Sequence, residues 1–354
     1  MEQDREQSFT HNQEERHQAG SVNIIRKGVN KVVKLSDGYH LDNMFRRLSP
    51  KQKMLYYIRR GSLDLHLHSN ASDGFDSPPQ LLEKVMEKRL LAFAVTDHDT
   101  IWGVQDCEII LEKLRLMRVP VPDFVPGVEL SVDFEEQEIH LLGYFPSGGI
   151  EKIRPYLLAS KERRNERNQK LCERLTELGF PITIEELNRQ GGQVINRVHA
   201  AILMMRKGYA DTVNEAFDKY LGAGRPAFVA YEHPSAEEAL KLIQTSGGIS
   251  VLAHPVLYGW EESGKTREKL ERLKKLGLQG LEVVHGETDM AFSKRMSAVA
   301  KELDLLRSIG SDYHGLNKKG VHIFDPKEDY SDYLHGHLDE ATIRAFSRTD
   351  SPDF

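Results

Sequence analysis

The stretch Leu63-Asp64-Leu65-His66-Leu67-His68 decides the reading of this chain. It is a short apolar run that ends in a His-x-His pair. In extended backbone, side chains alternate, so residues two apart point to the same side. His66 and His68 can therefore reach one cation from one strand. Three further runs, Leu91 to Val95, Ile249 to Ala253 and Leu305 to Ile309, also read as buried strands. Each carries polar residues at or just past its C-terminal end: Thr96-Asp97-His98-Asp99, then His254-Pro255, then Gly310-Ser311-Asp312-Tyr313-His314. α/β folds place their chemistry at such ends. Asp73, Glu129 in Gly127-Val128-Glu129, and His140 complete the set. Imidazoles mixed with carboxylates suit Zn²⁺, Mn²⁺ or Fe²⁺, and the absence of thiolates argues against a purely structural zinc site. A single His-x-His pair is more often surface decoration than a ligand. Recurrence of such clusters at successive strand ends turns the reading toward a polynuclear metal site.

The pattern around these clusters is an alternation of strands and helices. A helix opens near Ser77-Pro78-Pro79, where a serine cap precedes proline, and feeds the strand at Leu91. A second helix covers roughly Val104 to Met117, and Phe124–Val132 and Glu138–Tyr144 read as further strands. Alternating units imply a mostly parallel sheet, open or closed into a barrel. The rhythm breaks at Ser147-Gly148-Gly149. From Ile150 to about His233 the chain reads as helical, including a charged helix through Lys161–Asn168, then Val194 to Lys207 and Val213 to Tyr220. Alternation resumes at Pro234, with helices at Ala236–Thr245, Arg267–Leu276 and Ala291–Leu303. The simplest account is one α/β domain interrupted by a helical insertion. Its parts are an N-terminal extension (1–60, partly disordered), a discontinuous barrel (61–149 and 234–324), the insertion (150–233) and a C-terminal tail (325–354).

Composition bounds the partners. The chain has 354 residues and a formal net charge of −6, so it lacks the global basic field that sequence-independent binding of duplex DNA requires. Cys107 and Cys172, its two cysteines, have no metal-type spacing and read as reduced, semi-buried residues of a cytoplasmic protein. No apolar run approaches the roughly 20 residues needed to span a membrane. The opening Met-Glu-Gln-Asp-Arg-Glu-Gln lacks the apolar core of a secretory signal.

Taken in order, the clusters resemble the PHP superfamily, named for polymerase-associated and histidinol-phosphatase domains. The resemblance runs from about Leu63 to Gly315. It rests on Asp-Leu-His-Leu-His-Ser, Ser72-Asp73-Gly74, Thr-Asp-His-Asp-Thr, Gly127-Val-Glu129-Leu-Ser131, Ile139-His140-Leu-Leu-Gly143-Tyr144-Phe145, Leu252-Ala-His254-Pro and Gly-Ser-Asp312-Tyr-His314. It implies a distorted seven-stranded β/α barrel with three divalent ions at the strand ends. One ion would be held by His66, His68, Glu129 and Asp312. A second would share Glu129 and add His140 and His254, and the third would take Asp73, His98 and His314. The nucleophile implied is a hydroxide held at the cluster by Glu129, His254 and Asp312. Within the superfamily, Arg167-Asn168, Asn196-Arg197-Val198-His199, Ala216–Leu221 and Gly224-Arg225-Pro226 resemble the small nucleotide phosphatases. Those remove a phosphate from nucleoside 3′,5′-bisphosphates, and some trim short RNA from its 5′ end. Their insertion forms a lid.

A second phosphate needs its own site, and guanidinium groups recognise phosphate bidentately. Arg197, Arg225, Arg164 and Arg167, with Asn168 and His199, are the candidates. Arg163, Arg164 and Arg167 also sit among glutamates and could form a solvated helix face. Asp97 and Asp99 could orient a ligand or cap the helix near Gly103, and for Asp99 the cap is the stronger expectation. His285 and His233 read as edge or loop residues rather than ligands. His322, His335 and His337 carry no assignment. The competing readings are histidinol-phosphate phosphatase, which needs no second phosphate site, and a catalytically silent PHP scaffold, which should have lost ligands.

Overall fold

Seven strands, numbered in chain order, form one sheet in the same spatial order. The computed structural model describes residues 48–59, 62–190, 194–230, 233–261 and 264–325. The expected extension up to residue 47 and the tail from 326 on, with His335 and His337, lie outside the described residues. A helix, α1 (Pro50–Arg59), precedes β1 (Leu63–Leu67), α2 (Pro78–Lys88), β2 (Ala92–Val95) and α3 (Trp102–Leu116). The hairpin β3 (Asp123–Phe134) and β4 (Gln137–Tyr144) follows. The strand-free stretch comprises α4 (Arg154–Glu177), α5 (Ile184–Asn188), α6 (Arg197–Arg206) and α7 (Val213–Ala216), ending in a π-turn at Phe217–Leu221. The alternation then returns as α8 (Ala236–Thr245), β5 (Ile249–Leu252), α9 (Thr266–Leu276), β6 (Gly280–His285), α10 (Met290–Glu302) and β7 (Leu306–Gly310).

Every residue of β1, β2, β5, β6 and β7 is buried. Strands covered by helices outside and by packed side chains inside have no solvated face, which is why these segments are mostly apolar apart from a few buried polar residues such as Asp64, His66 and Glu282. The sheet is parallel except around β4, which runs antiparallel to both β3 and β5. The β3–β4 turn uses Glu135 and Glu136, both left-handed at φ 50° and 64°. This geometry matches the twist of a two-residue hairpin but normally favours asparagine or glycine. Glu135 is held there by Arg272 at 2.6 Å and by Lys269, both on α9.

The barrel closes between β1 and the chain just beyond β7. Asp312 N donates to the His66 carbonyl at 2.9 Å, and His68 N donates to that of Tyr313 at 3.0 Å. Asp64 adds a carboxylate clasp, accepting from Ser311 N at 2.9 Å and from Phe324 N at 3.2 Å. Its burial pushes its pKa up to about 6 against those hydrogen bonds. One apolar core fills the barrel and its helical coat. A separate cluster that includes Leu171, Leu175, Leu187, Ala200, Met204 and Leu221 holds the α4–α7 region together. Among the described residues, no helix is long and apolar enough to cross a membrane. Cys107 and Cys172 are free and buried.

At the seam, a Cβ on Gly310 would lie 2.1 Å from the His66 Cβ and 2.7 Å from Glu282 Oε1. Only glycine lets β7 come this close to β1. Gly310→Ala is therefore expected to destabilise the fold by about 1–3 kcal/mol through overpacking, read as a lower melting temperature. An unchanged melt would show that the seam is loose.

Candidate metal centre

Two facts of local structure bring the strand-end residues together. Alternation along β1 sends His66 and His68 to one side, and the antiparallel register of β3 and β4 pairs Ser131 with His140 and Glu129 with Leu142. Glu129, Ser131, His140 and Glu138 therefore share one face. The Thr96–Asp99 turn runs beside β3, with Asp99 N donating to the Glu129 carbonyl at 2.8 Å. His254 and Asp312 both adopt left-handed backbone at their strand ends, at φ 28° and 58°. Strain of this kind persists where the surroundings over-determine a residue's direction.

Glu129 is the hub and is fully buried. Its Oε2 lies 3.2 Å from His66 Nε2, 3.1 Å from His68 Nε2 and 3.2 Å from His98 Nδ1. Its Oε1 lies 3.0 Å from His140 Nδ1 and 2.9 Å from His254 Nε2. Asp312 Oδ1 faces His68 at 3.2 Å and His66 at 3.4 Å. Asp73 Oδ1 faces His314 Nε2 at 3.2 Å, and Asp73 Oδ2 lies 3.9 Å from His98 Nε2. Burial opposes ionisation of Glu129, but the charges of His98, His66 and His140 outweigh it and hold this carboxyl well below the usual range.

The donor set fits divalent cations. Ligating atoms of His66, His68, Glu129 and Asp312 all lie within 4.8 Å of one another, as do those of His68, Asp73, His98 and His314, and those of His98, Glu129 and His140. Both ring nitrogens of His68, Asp73 Oδ1 and His98 Nδ1 are buried and take part in no hydrogen bond, because the close contacts around them lack hydrogen-bond alignment. Buried polar atoms are otherwise nearly always bonded. Converging, unbonded imidazole and carboxylate atoms are what cations would satisfy, with mixed nitrogen and oxygen donors of the kind zinc, manganese and iron accept.

Several roles differ from those expected. Neither Asp97 nor Asp99 caps α3, whose N-cap is Ile101 with no side-chain bond. Asp97 instead ties down the loop after β1, accepting from Ser69 N, Ser69 Oγ and Ser72 Oγ at 2.7 Å each. Asp99 accepts from Ser131 N at 3.2 Å and pairs with Arg164. Of the three arginines that could form a solvated face on α4, Arg163 is exposed, but Arg164 and Arg167 are buried, as is Asn168. His285 is no edge or loop residue. It ends β6, is buried, and places Nε2 3.3 Å from Asp312 Oδ2. His233, expected at an edge or in a loop, does lie in a loop, where it lines a cavity beside the cluster 3.4 Å from Glu138.

That cavity, of about 220 Å³, is lined by Asp73, His98 and His140 of the cluster and by Arg164, Arg167 and Arg197. Arg197 reaches Glu138 at 3.1 Å and stacks over Phe228 at 5.5 Å. Asn196 donates to Asp73 Oδ2 at 2.9 Å. Arg225, His199 and Asn168 do not line the cavity. Arg225 is exposed, Asn168 donates to the Ile195 carbonyl at 2.9 Å, and His199 Nδ1 accepts from Asn196 N at 3.1 Å at the start of α6.

Residues 64–276 match the family model described as PHP domain. The chain belongs to the PHP family. It is 32% identical over 257 residues to the 5′-3′ exoribonuclease Rnm of Escherichia coli, an alignment covering 71% of this chain and 84% of that protein. It is 29% identical over 269 residues to a 3′,5′-nucleoside bisphosphate phosphatase of Chromobacterium violaceum, covering 73% and 89%. Among solved structures, a Chromobacterium violaceum protein described as an amidohydrolase with bound sulfate superposes at a TM-score of 0.66 with 26% identity, over 81% of this chain and 96% of that one. That superposition spans the nearly closed seven-stranded barrel expected from the motifs.

Glu282 is the residue that reading strand ends missed. It sits inside an apolar strand, is buried, and uses both oxygens. Oε1 lies 3.0 Å from His66 Nδ1, and Oε2 accepts from His254 N at 2.7 Å. It thus fixes the ring of one candidate ligand and the backbone of another. A buried carboxylate facing the barrel interior from a strand centre was the available signal. Glu282→Gln should weaken metal retention about 10- to 100-fold, as loss of a ligand's outer partner does, without unfolding the chain. Titration with a chelator checks this, and wild-type retention would remove Glu282 from the site.

Proposed function

We propose that this PHP-family phosphoesterase removes a phosphate from nucleoside 3′,5′-bisphosphates and uses the same site to trim short RNA from its 5′ end. The observation that carries the reading is one cavity lined both by Asp73, His98 and His140 of the candidate metal cluster and by Arg164, Arg167 and Arg197. A substrate with one phosphate at the cluster and a second several ångströms away fits this arrangement. Three divalent ions, assigned to His66, His68, Glu129 and Asp312, to Glu129, His140 and His254, and to Asp73, His98 and His314, would supply a nucleophile at neutral pH and neutralise charge on the transferring oxygens.

The chain's own residues provide position and charge. Arg164 is held by Asp99, which also bonds Ser131 on the central hairpin, so the guanidinium is anchored to the barrel. Arg197 is held by Glu138, and an incoming phosphate competes with that carboxylate for it. Residues 150–233 act as a lid. Ile150, Ile153 and Leu157 pack in the barrel core, the part from Leu171 to Val229 has its own apolar cluster, and Asn196, Arg164 and Arg197 touch the site. Histidinol phosphate carries no second phosphate for these arginines to recognise, and a silent scaffold would have no use for so complete a donor set.

Release of phosphate by the metal-loaded chain from 3′,5′-bisphosphoadenosine, histidinol phosphate and a 5′-phosphorylated oligoribonucleotide tests the reading. The bisphosphate should be hydrolysed best and histidinol phosphate poorly, and the reverse order would overturn the assignment. Arg197→Ala should raise KM for the bisphosphate about 10- to 100-fold, roughly 1.4–2.8 kcal/mol of charge-assisted binding. Its effect on para-nitrophenyl phosphate should be small. Equal losses on both substrates would place Arg197 at the reaction centre or in the fold.

A further inference from the structure

Asp312 uses its two oxygens on opposite sides. Oδ1 faces His66 and His68. Oδ2 points away from them and lies 2.7 Å from Lys318 Nζ and 3.3 Å from His285 Nε2. Each of these outer partners is fixed in turn. Lys318 Nζ reaches Glu287 Oε2 at 2.7 Å, and Glu287 N donates to His285 Nδ1 at 3.2 Å. An imidazole that accepts at Nδ1 carries its proton at Nε2 when neutral, so His285 donates to Asp312. The ligand atoms of His285, Glu287 and Asp312 lie within 4.8 Å of one another, an arrangement that could hold a cation. The lysine ammonium is that cation. The preceding residue, Asn317, donates from Nδ2 to the Asp73 carbonyl at 2.8 Å. The short segment after β7 therefore grips two candidate ligands at once.

We propose that Lys318, held by Glu287, is the positioning residue for Asp312: its ammonium takes the outer oxygen beside His285, leaving the inner oxygen alone to face the cluster. This rests on the metal reading of the cluster. A carboxylate with both oxygens available can swing or bind through both, and Asp312 stands in left-handed backbone at φ 58°, where its direction has to be imposed by neighbours. A charged partner at 2.7 Å on the far side imposes it. Methionine keeps the length of the lysine stem and removes the charge.

The experiment compares the full chain with Lys318→Met and Lys318→Arg. It measures divalent metal retained against graded chelator, the melting temperature in excess chelator, and kcat and KM for the bisphosphate. Lys318→Met should release metal at about 10- to 100-fold lower chelator concentration and lose kcat while KM stays near wild type. Its metal-free melt should be unchanged, and Lys318→Arg should recover part of both losses. Wild-type retention and kcat in Lys318→Met would overturn the proposal. So would a metal loss matched by an equally lowered metal-free melt and not recovered by arginine, because Lys318 would then serve only the fold. A wild-type chain that binds no divalent metal would instead sink the metal reading, and this inference with it.

Discussion

One buried carboxylate organises this molecule. Glu129 sits at the centre of the β3–β4 hairpin with five imidazoles around its two oxygens. An isolated carboxylate in such a place would be strongly disfavoured, so its charge has to be met from several directions. His66 comes from β1 and His68 from just past its end, His98 from the turn after β2, His140 from the neighbouring strand and His254 from just past the end of β5. A barrel is the geometry that lets ends so distant in sequence meet at one point. The close seam at Gly310, the Asp64 clasp and the left-handed turns at His254 and Asp312 all serve that convergence.

The positions that face this point were legible because a charged or imidazole side chain closing an apolar strand is costly to bury unless partners meet it there. The strand and helix alternation was legible because strands covered on both sides lose their solvated face and are mostly apolar. The reversal at β4 was not, since the turn uses Glu135-Glu136, without the glycine or asparagine that marks a left-handed hairpin. Its conformation is held by Lys269 and Arg272 from a helix more than a hundred residues away in sequence. Glu282 was hidden because one carboxylate inside Leu281–Val284 does not alter an apolar run. Arg164 and Arg167 looked solvated because glutamates flank them, yet those glutamates fall on the exposed side of α4 while the arginines turn inward. Lys318 lay in a turn with no periodicity at all.

Charge is layered outward from the hub. Carboxylates and imidazoles form the inner set, and Glu282, His285 and Lys318 hold members of it from behind. Beyond them stand Glu138 and the arginines of the α4–α6 region. Glu138 lies within reach of Arg197, His233 and His140, so it links the wall that would receive a second phosphate to a residue of the inner set. Specificity in this account comes from the helical insertion, and reactivity comes from the barrel. The two meet in one cavity because Asn196 bonds Asp73 and Arg164 bonds Asp99 across the boundary.

The measurement that bears most directly on this account is the metal content of Glu129→Ala beside wild type, taken with a thermal melt and a hydrolysis assay. The account predicts a folded protein that has lost most of its bound divalent metal and nearly all turnover, because one side chain faces ligands from every part of the cluster. A Glu129→Ala chain with wild-type metal content and activity would contradict it.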